Sequence, residues 1–151
     1  IYIIKTVGSH GYARKSAGLH PLEGVRGGMI RTKSATVVLR QDGIVHVTID
    51  KGLTQTLEHA QENYGACLIL VSKAPLLLLV DISGVHTLEA EARHYYGSQS
   101  MKGEFRAFAL LTNASALGTA IGNIYLAIAK HSVPTKLHTN EEDAIQWLKK
   151  H

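Results

Sequence analysis

The segment LLLLVDISGVHTLEAEARHYY, residues 76–96, contains the pattern that decides the fold. It begins with five consecutive apolar residues, 76–80, and Asp81 separates them from Ile82. Such an apolar run is typical of a strand buried on both faces of a parallel sheet. After a short loop, Thr87 opens a predicted helix that extends to about Tyr96. A buried strand followed by a helix is the repeating unit of an α/β fold.

The same alternation extends in both directions from this segment. On the amino-terminal side, residues 31–40 are β-rich, Gln41-Asp42-Gly43 is a hairpin turn signal, and residues 44–50 alternate apolar and polar side chains. Apolar residues at helical spacing from Leu53 to Leu68 then predict an amphipathic helix, with Gly52 or Thr54 as its cap.

On the carboxyl-terminal side, residues 105–112 form another apolar run, and Asn113 is a suitable N-cap for a helix that extends to about residue 130. A short strand is predicted at residues 135–138. The last helix has Asn140 as its cap, with acidic residues in its first turn. The sequence therefore predicts an α/β fold, in which a β-hairpin and parallel αβ units form a mixed five-stranded sheet with four helices.

Residues 1–29 differ from the rest of the chain. They contain six of the fourteen glycines and show little apolar periodicity. A segment of this composition buries too little apolar surface to become ordered on its own. We therefore expect residues 1–29 to be an N-terminal extension, either a weakly ordered basic arm or non-native sequence upstream of a natural start at Met29. Residues 30–151 are expected to form a single domain.

Composition argues against several classes of protein. Residues 1–29 hold four basic residues against one acidic, whereas the remainder holds twelve against eleven, so the domain has no basic surface suited to nucleic acid. The single cysteine, Cys67, excludes an internal disulfide framework. The apolar runs are shorter than a membrane span, and the amino terminus lacks the apolar core of a secretory signal. We expect a cytoplasmic location.

The segment Asp81-Ile82-Ser83-Gly84-Val85, set before a helix, resembles the corresponding part of STAS domains, the fold of bacterial anti-sigma-factor antagonists. Residues 78–93, 108–111, Asn123 and 136–148 resemble a group of small uncharacterised bacterial proteins described as STAS-like or related to CRAL-TRIO lipid-binding domains. The resemblance covers residues 30–151. It implies a regulatory or protein-interaction module.

In phosphorylatable STAS antagonists, an acid-Ser-Ser-Gly signature at the start of the next helix contains the phosphoacceptor serine. In this sequence the signature falls on Glu89-Ala90-Glu91-Ala92. Glu91 occupies the acceptor position and is not phosphorylatable. It also carries less negative charge than a phosphoserine. The sequence therefore predicts a module without the phosphorylation switch.

The candidate surface for a partner or ligand comprises residues near the end of the central strand and the following helix: Asp81, Ser83, His86, Thr87, Glu89, Glu91, Arg93 and Asn123. Each has a simpler interpretation. Asp81 could bond the amides of the following loop, and acids in a first turn stabilise the helix dipole. Arg93 could pair with Glu89 at i, i+4.

His86, Glu91 and His94 lack a recognised metal motif, so we predict no metal site and no cofactor. Three functional hypotheses follow. The first is a non-enzymatic regulatory module that binds a protein partner or forms a homodimer. The second is a domain that binds a small apolar ligand or lipid between the sheet and the helices around residues 87–97 and 113–130. The third is a small enzyme that uses Asp81 and His86.

Overall fold

The computed structural model describes residues 3–6, 28–71, 75–100, 103–113 and 133–151. These residues form nine strands and three helices. The strands are β1 (Ile3–Thr6), β2 (Gly28–Arg31), β3 (Ala35–Leu39), β4 (Val45–Ile49), β5 (Thr54–Gln55), β6 (Leu76–Asp81), β7 (Thr87–Leu88), β8 (Phe105–Leu111) and β9 (Thr135–His138). The helices are α1 (Leu57–Leu70), α2 (Ala90–Ser100) and α3 (Glu141–Leu148).

Seven strands form the main sheet in the order β1-β2-β3-β4-β6-β8-β9. The strands from β1 to β4 pair antiparallel, whereas β4, β6, β8 and β9 are parallel. The mixed α/β architecture is therefore confirmed. The predicted number of five strands in the sheet is wrong, because β1 and β2 add two strands at one edge. The predicted helix at residues 113–130 lies outside the described residues, and so does Asn123.

Residues 31–40 do not form one strand. A turn at Thr32–Ser34 separates β2 from β3, and Thr32 N donates to the Ala35 carbonyl at 2.9 Å. The next turn is as predicted: Gly43 has a φ of +85°, which favours glycine, and the hairpin joins β3 to β4. The predicted extension at residues 1–29 stays a prediction; within it, β1 pairs with β2, which begins at Gly28.

The cap of α1 also differs from the prediction. Thr56, not Gly52 or Thr54, is the N-cap: its side chain accepts from His59 N, and His59 Nδ1 accepts from Thr56 N, both at 3.3 Å. These two reciprocal hydrogen bonds satisfy backbone N–H groups that have no partner within the first turn of the helix. They place the start of the helix at Leu57. At α3, Asn140 is the N-cap as predicted, and its Oδ1 accepts from Asp143 N at 3.0 Å.

In the part of the chain that the structure describes, the core forms two clusters on the two sides of the sheet. We call the larger one, against which α1 and α2 pack, the α1/α2 cluster; it includes Val47, Leu78 and Phe108. The smaller one, the α3 cluster, contains Ile44, Leu79, Ala107, Ala109, Ala144, Ile145 and Leu148. Within the described part of the chain, no helix is long and apolar enough to span a membrane.

A β-bulge sets which side chains of β8 face the α1/α2 cluster. The pairing with β6 shifts between Leu76, opposite Phe105, and Leu77, opposite Ala107, so Arg106 is the extra residue. A bulge changes the alternation of faces by one residue. Phe105 and Phe108 therefore both belong to the α1/α2 cluster, with ring centroids 4.9 Å apart.

Candidate functional site

The loop after β6 is shaped by Asp81 at the end of the strand. Its Oδ1 accepts from Ser83 N at 3.0 Å and from Ser83 Oγ at 2.5 Å. A carboxylate that bonds the backbone two residues ahead forms an Asx-turn, which directs the chain out of the sheet. These bonds join Asp81 to Ser83, whereas His86 is exposed five residues further along.

The next segment packs on residues 50–56 instead of starting a helix. Gly84 O accepts from Gly52 N at 2.8 Å, and His86 N donates to Leu53 O at 3.2 Å. A Cβ at Gly84 would lie 3.0 Å from Ile49 O and 3.0 Å from Lys51 Cα, so only glycine allows this approach without displacement of the backbone.

The small parallel sheet of β5 and β7 corrects the predicted start of α2. Thr87 lies in β7, opposite Thr54, and is therefore not an N-cap. The helix begins at Ala90, and the carbonyl of Glu89 accepts from Arg93 N at 2.9 Å. Local propensity favoured a helix from Thr87, but backbone pairing with β5 takes up the first two residues.

Glu89 and Glu91 lie at the start of α2 and both are exposed. The ion pairs found among the described residues include neither of them. The predicted side-chain pair of Arg93 with Glu89 is thus replaced by a backbone bond. Since the N-terminal turn of a helix carries positive partial charge, these carboxylates are held in a favourable field while remaining accessible.

An open cleft between α1 and α2 adjoins these acids. Its lining includes Leu57, Gln61, Glu91 and His94. Leu57 is 37% exposed and is the large hydrophobic side chain that the described surface leaves open. The helical spacing of the apolar residues from Leu53 to Leu68 predicts that Leu57 lies on the buried face of α1, and its exposure corrects that prediction. The cleft therefore combines an apolar contact with a carboxylate that has no ion-pair partner in the described part of the chain.

A second cavity lies between the sheet and the two helices. It has a volume of about 80 Å³ and mostly apolar walls. Its lining includes Val47, Ile49, Gln55, Asn63, Tyr64, Cys67, Leu78, Val80, Ile82, Val85, Leu88, Tyr96, Phe105, Phe108 and Leu110. Burial raises the pKa of the Cys67 thiol to about 12, so this cysteine is a small apolar side chain and not a nucleophile.

Three polar side chains meet at one end of this cavity. Asn63 Nδ2 lies 3.3 Å from both Gln55 Oε1 and Tyr96 Oη, and Tyr96 Oη donates to Gln55 Oε1 at 3.4 Å. Burial raises the pKa of Tyr96, while the bond from Asn63 opposes the shift. The phenol is therefore a neutral hydrogen-bonding group in this network.

The sequence interpretation did not single out this network. A signal was present, because Asn63 is three residues from Ala60 and four from Cys67, which places an amide on the buried stripe of α1. Gln55 gave no such signal, since its burial depends on pairing between β5 and β7. Within the described residues, no group of three or more His, Cys, Asp or Glu side chains could hold a metal ion.

Comparison with solved structures supports the predicted fold. The chain is similar to an uncharacterised protein of the DUF3478 family, with a SpoIIAA-like fold, from Shewanella loihica PV-4. The alignment covers 89% of this chain and 99% of the other, with a TM-score of 0.51 and 18% sequence identity. It confirms the predicted STAS-like fold.

Comparison of the sequence with curated proteins gave no match. Residues 38–151, from within β3 to the last residue, match a family model whose description is "Domain of unknown function (DUF7793)". That match includes α1, α2, α3 and all the parallel strands described above. The chain belongs to the DUF7793 family.

Proposed function

We propose that this protein is a non-enzymatic regulatory module of STAS type that binds a protein partner through the surface between α1 and α2. The observation that carries the proposal is the open cleft in which exposed Leu57 lies beside Glu91 and His94. An apolar contact surrounded by polar groups is the usual composition of a recognition surface.

The charge of this surface indicates the chemistry of the partner. Glu89 and Glu91 are exposed and lack an ion-pair partner among the described residues. A partner with a basic patch would be attracted to both carboxylates, chiefly through a faster association rate. Because Glu91 occupies the position that resembles the phosphoacceptor, the acidic state would be permanent and binding would not depend on a kinase.

The alternative of an enzyme that uses Asp81 and His86 receives less support. The hydrogen bonds of Asp81 in the described structure go to Ser83, and they account for the loop without a reaction. The loop after β6, strand β7 and the first turn of α2 carry Ser83, His86, Thr87 and Arg93, which remain candidate members of the recognition surface.

The test is a quantitative pull-down with the purified protein as bait, followed by mass spectrometry. We expect Leu57→Ser and Glu91→Gln to reduce recovery of a specific partner several-fold, with the effect of Glu91→Gln disappearing at high salt. Glu142→Gln is a matched control, because Glu142 is also an exposed first-turn acid but belongs to α3. Equal recovery by all variants would contradict the proposed surface, and recovery of the same chain would identify a homodimer.

A further inference from the structure

The cavity between the main sheet and helices α1 and α2 is larger than the voids normally found in a well-packed core. Protein interiors contain few voids larger than a water molecule, yet this space measures about 80 Å³. Its walls come from β4, β6 and β8 on one side and from α1 on the other, with Phe105 and Phe108 both brought to it by the bulge at Arg106. The space suits a molecule of a few non-hydrogen atoms.

One polar group at this cavity has no partner. Gln55 is 1% exposed, and its Nε2 has no hydrogen-bond partner among the described residues, although its Oε1 accepts from two donors. A buried amide donor without an acceptor destabilises the folded state. Gln55 therefore offers an N–H group that a ligand could satisfy.

The surrounding hydrogen bonds orient the Gln55 amide and, within the described part of the chain, leave one of its two polar atoms without a partner. Thr32 Oγ1 accepts from Ala35 N at 2.9 Å, and of the two acceptors near its own hydrogen, Asn63 Oδ1 at 2.7 Å is closer than the Ala35 carbonyl at 3.1 Å. With its oxygen so engaged, Asn63 directs Nδ2 toward Ser34 Oγ at 3.1 Å and toward Gln55 Oε1 and Tyr96 Oη, both at 3.3 Å. In this arrangement the Gln55 amide turns Oε1 toward Asn63 Nδ2 and Tyr96 Oη, and Nε2 points away from both. The unpaired atom is therefore the nitrogen.

The lining selects the chemistry of the occupant. The described lining residues include no Lys, Arg or His, so burial of an anionic group there would be costly. A neutral molecule that accepts a hydrogen bond meets no such cost. An apolar body would contact Val47, Leu78 and Phe108, and its oxygen would bond to Gln55 Nε2.

We propose that this cavity is a binding site for a small, neutral, apolar molecule that carries one hydrogen-bond acceptor, such as a short ketone or alcohol. Gln55 is the residue that recognises the acceptor, with Asn63 and Tyr96 holding its amide in position. This site is separate from the exposed partner surface, and either proposal can fail without the other.

The experiment is an NMR titration of the intact protein with 2-butanone, observed at the side-chain amide of Gln55 and the backbone amides of α1. We expect a saturable shift of the Gln55 amide protons. The matched probe is 2-methyl-1-butene, which has a similar shape but no acceptor oxygen, and it should leave those protons nearly unshifted. Equal shifts with both probes would overturn the role of Gln55.

Two variants fill the cavity without altering its polar end. Cys67→Leu and Val80→Leu should each weaken the apparent affinity for 2-butanone at least tenfold. The Glu142→Gln variant, at an exposed first-turn position of α3 that belongs to neither proposed site, should bind the ketone as the unaltered protein does. Retained affinity in a folded filled variant, or a linear unsaturable response in the unaltered protein, would overturn the site.

Discussion

The two faces of the central sheet are packed in different ways. Against α3, the strands present Ala107 and Ala109, whose small side chains let Ala144 and Leu148 pack close, and every core member of the α3 cluster is aliphatic. Against α1 and α2, the strands present phenylalanine and larger aliphatic residues around a cavity with buried Gln55.

Because of this difference in packing, we expect the α3 face to contribute mainly to stability and the α1/α2 face to ligand recognition. A face lined by alanine allows close helix packing and leaves little space for a ligand. A face of large side chains that do not fully interlock leaves space, and the amide groups at its end give that space directionality. We therefore expect the α3 face to respond strongly to any change of volume, and the α1/α2 face to tolerate small additions.

The largest effect is expected from Leu79→Ala on the α3 face. Leu79 is fully buried, and truncation would leave a cavity that its close-packed neighbours cannot fill. The free energy of unfolding should fall by about 2–5 kcal/mol, measured by urea denaturation. Leu57→Ala is the control, since its exposed side chain should contribute less than ~0.5 kcal/mol. Similar losses in both variants would contradict the distinction.

Additions of volume test the comparison from the other direction. Ala109→Ile adds bulk to a fully buried position under α3 and should destabilise the fold by about 1–3 kcal/mol. Val47→Ile adds one methylene beside the cavity and should change stability by less than ~1 kcal/mol. The two are compared by thermal melts. A larger loss for Val47→Ile than for Ala109→Ile would show that the cavity face is the more tightly packed one.

The stability of the fold should depend on pH mainly through two histidines, His46 and His138. Burial lowers the pKa of His46, outweighing the opposing effects of Glu141 and Asp81, and Arg40 lowers it further. Burial and Lys136 lower the pKa of His138, while Asp143 opposes. A histidine with a lowered pKa in the folded state takes up its proton more readily when unfolded. Stability is therefore fully present above the ordinary value of about 6.5 and declines as the pH falls through it.

The measurement is the melting temperature between pH 7.5 and pH 5.5. We expect a decrease on acidification that His46→Gln makes shallower, with a further reduction when His138→Gln is added. A pH profile that is identical in the unaltered protein and the double variant would show that neither histidine contributes.

The sequence was sufficient for the elements whose periodicity is strong. Strands β4, β6 and β8 and helix α3 lie where apolar patterning and Asn140 place them, because local preference and tertiary burial agree there. The small β5–β7 sheet escaped prediction, since two-residue strands have no periodicity and exist only through pairing with each other. The start of α2 moved from Thr87 to Ala90 for the same reason.

The candidate site divides in the same way. Glu89 and Glu91 could be found by sequence because acids at a helix start have a local electrostatic reason. A ligand site between the sheet and the helix around residues 87–97 was one hypothesis, but the lining of the cavity could not be predicted. It depends on the bulge at Arg106, and a bulge leaves no signature in the run FRAFALL. The unpaired donor of Gln55 likewise results from contacts with residues 8 and 41 positions away.

A smaller effect is expected at the sheet edge, which belongs to neither face. Strand β1 has four residues and, in the described sheet, pairs with β2 alone. A chain that begins at Met29 should therefore melt within a few degrees of the full sequence, consistent with residues 1–29 as an extension. A large decrease in melting temperature would show that the segment is part of the domain.

The smallest effect on stability is expected from Glu91→Gln, on the exterior of the α1/α2 face. Glu91 is exposed in the first turn of α2, where a carboxylate stabilises the helix by ~0.3–1 kcal/mol. Glutamine keeps the shape and most of the helix propensity but removes the charge. The loss of unfolding free energy should therefore stay below ~1 kcal/mol and shrink at high salt, because an exposed charge near a helix terminus is screened. Urea denaturation at low and high salt measures both quantities. A loss of several kcal/mol would mean that Glu91 supports the fold itself. The exterior of the α1/α2 face would then not tolerate changes in the charge of its exposed side chains.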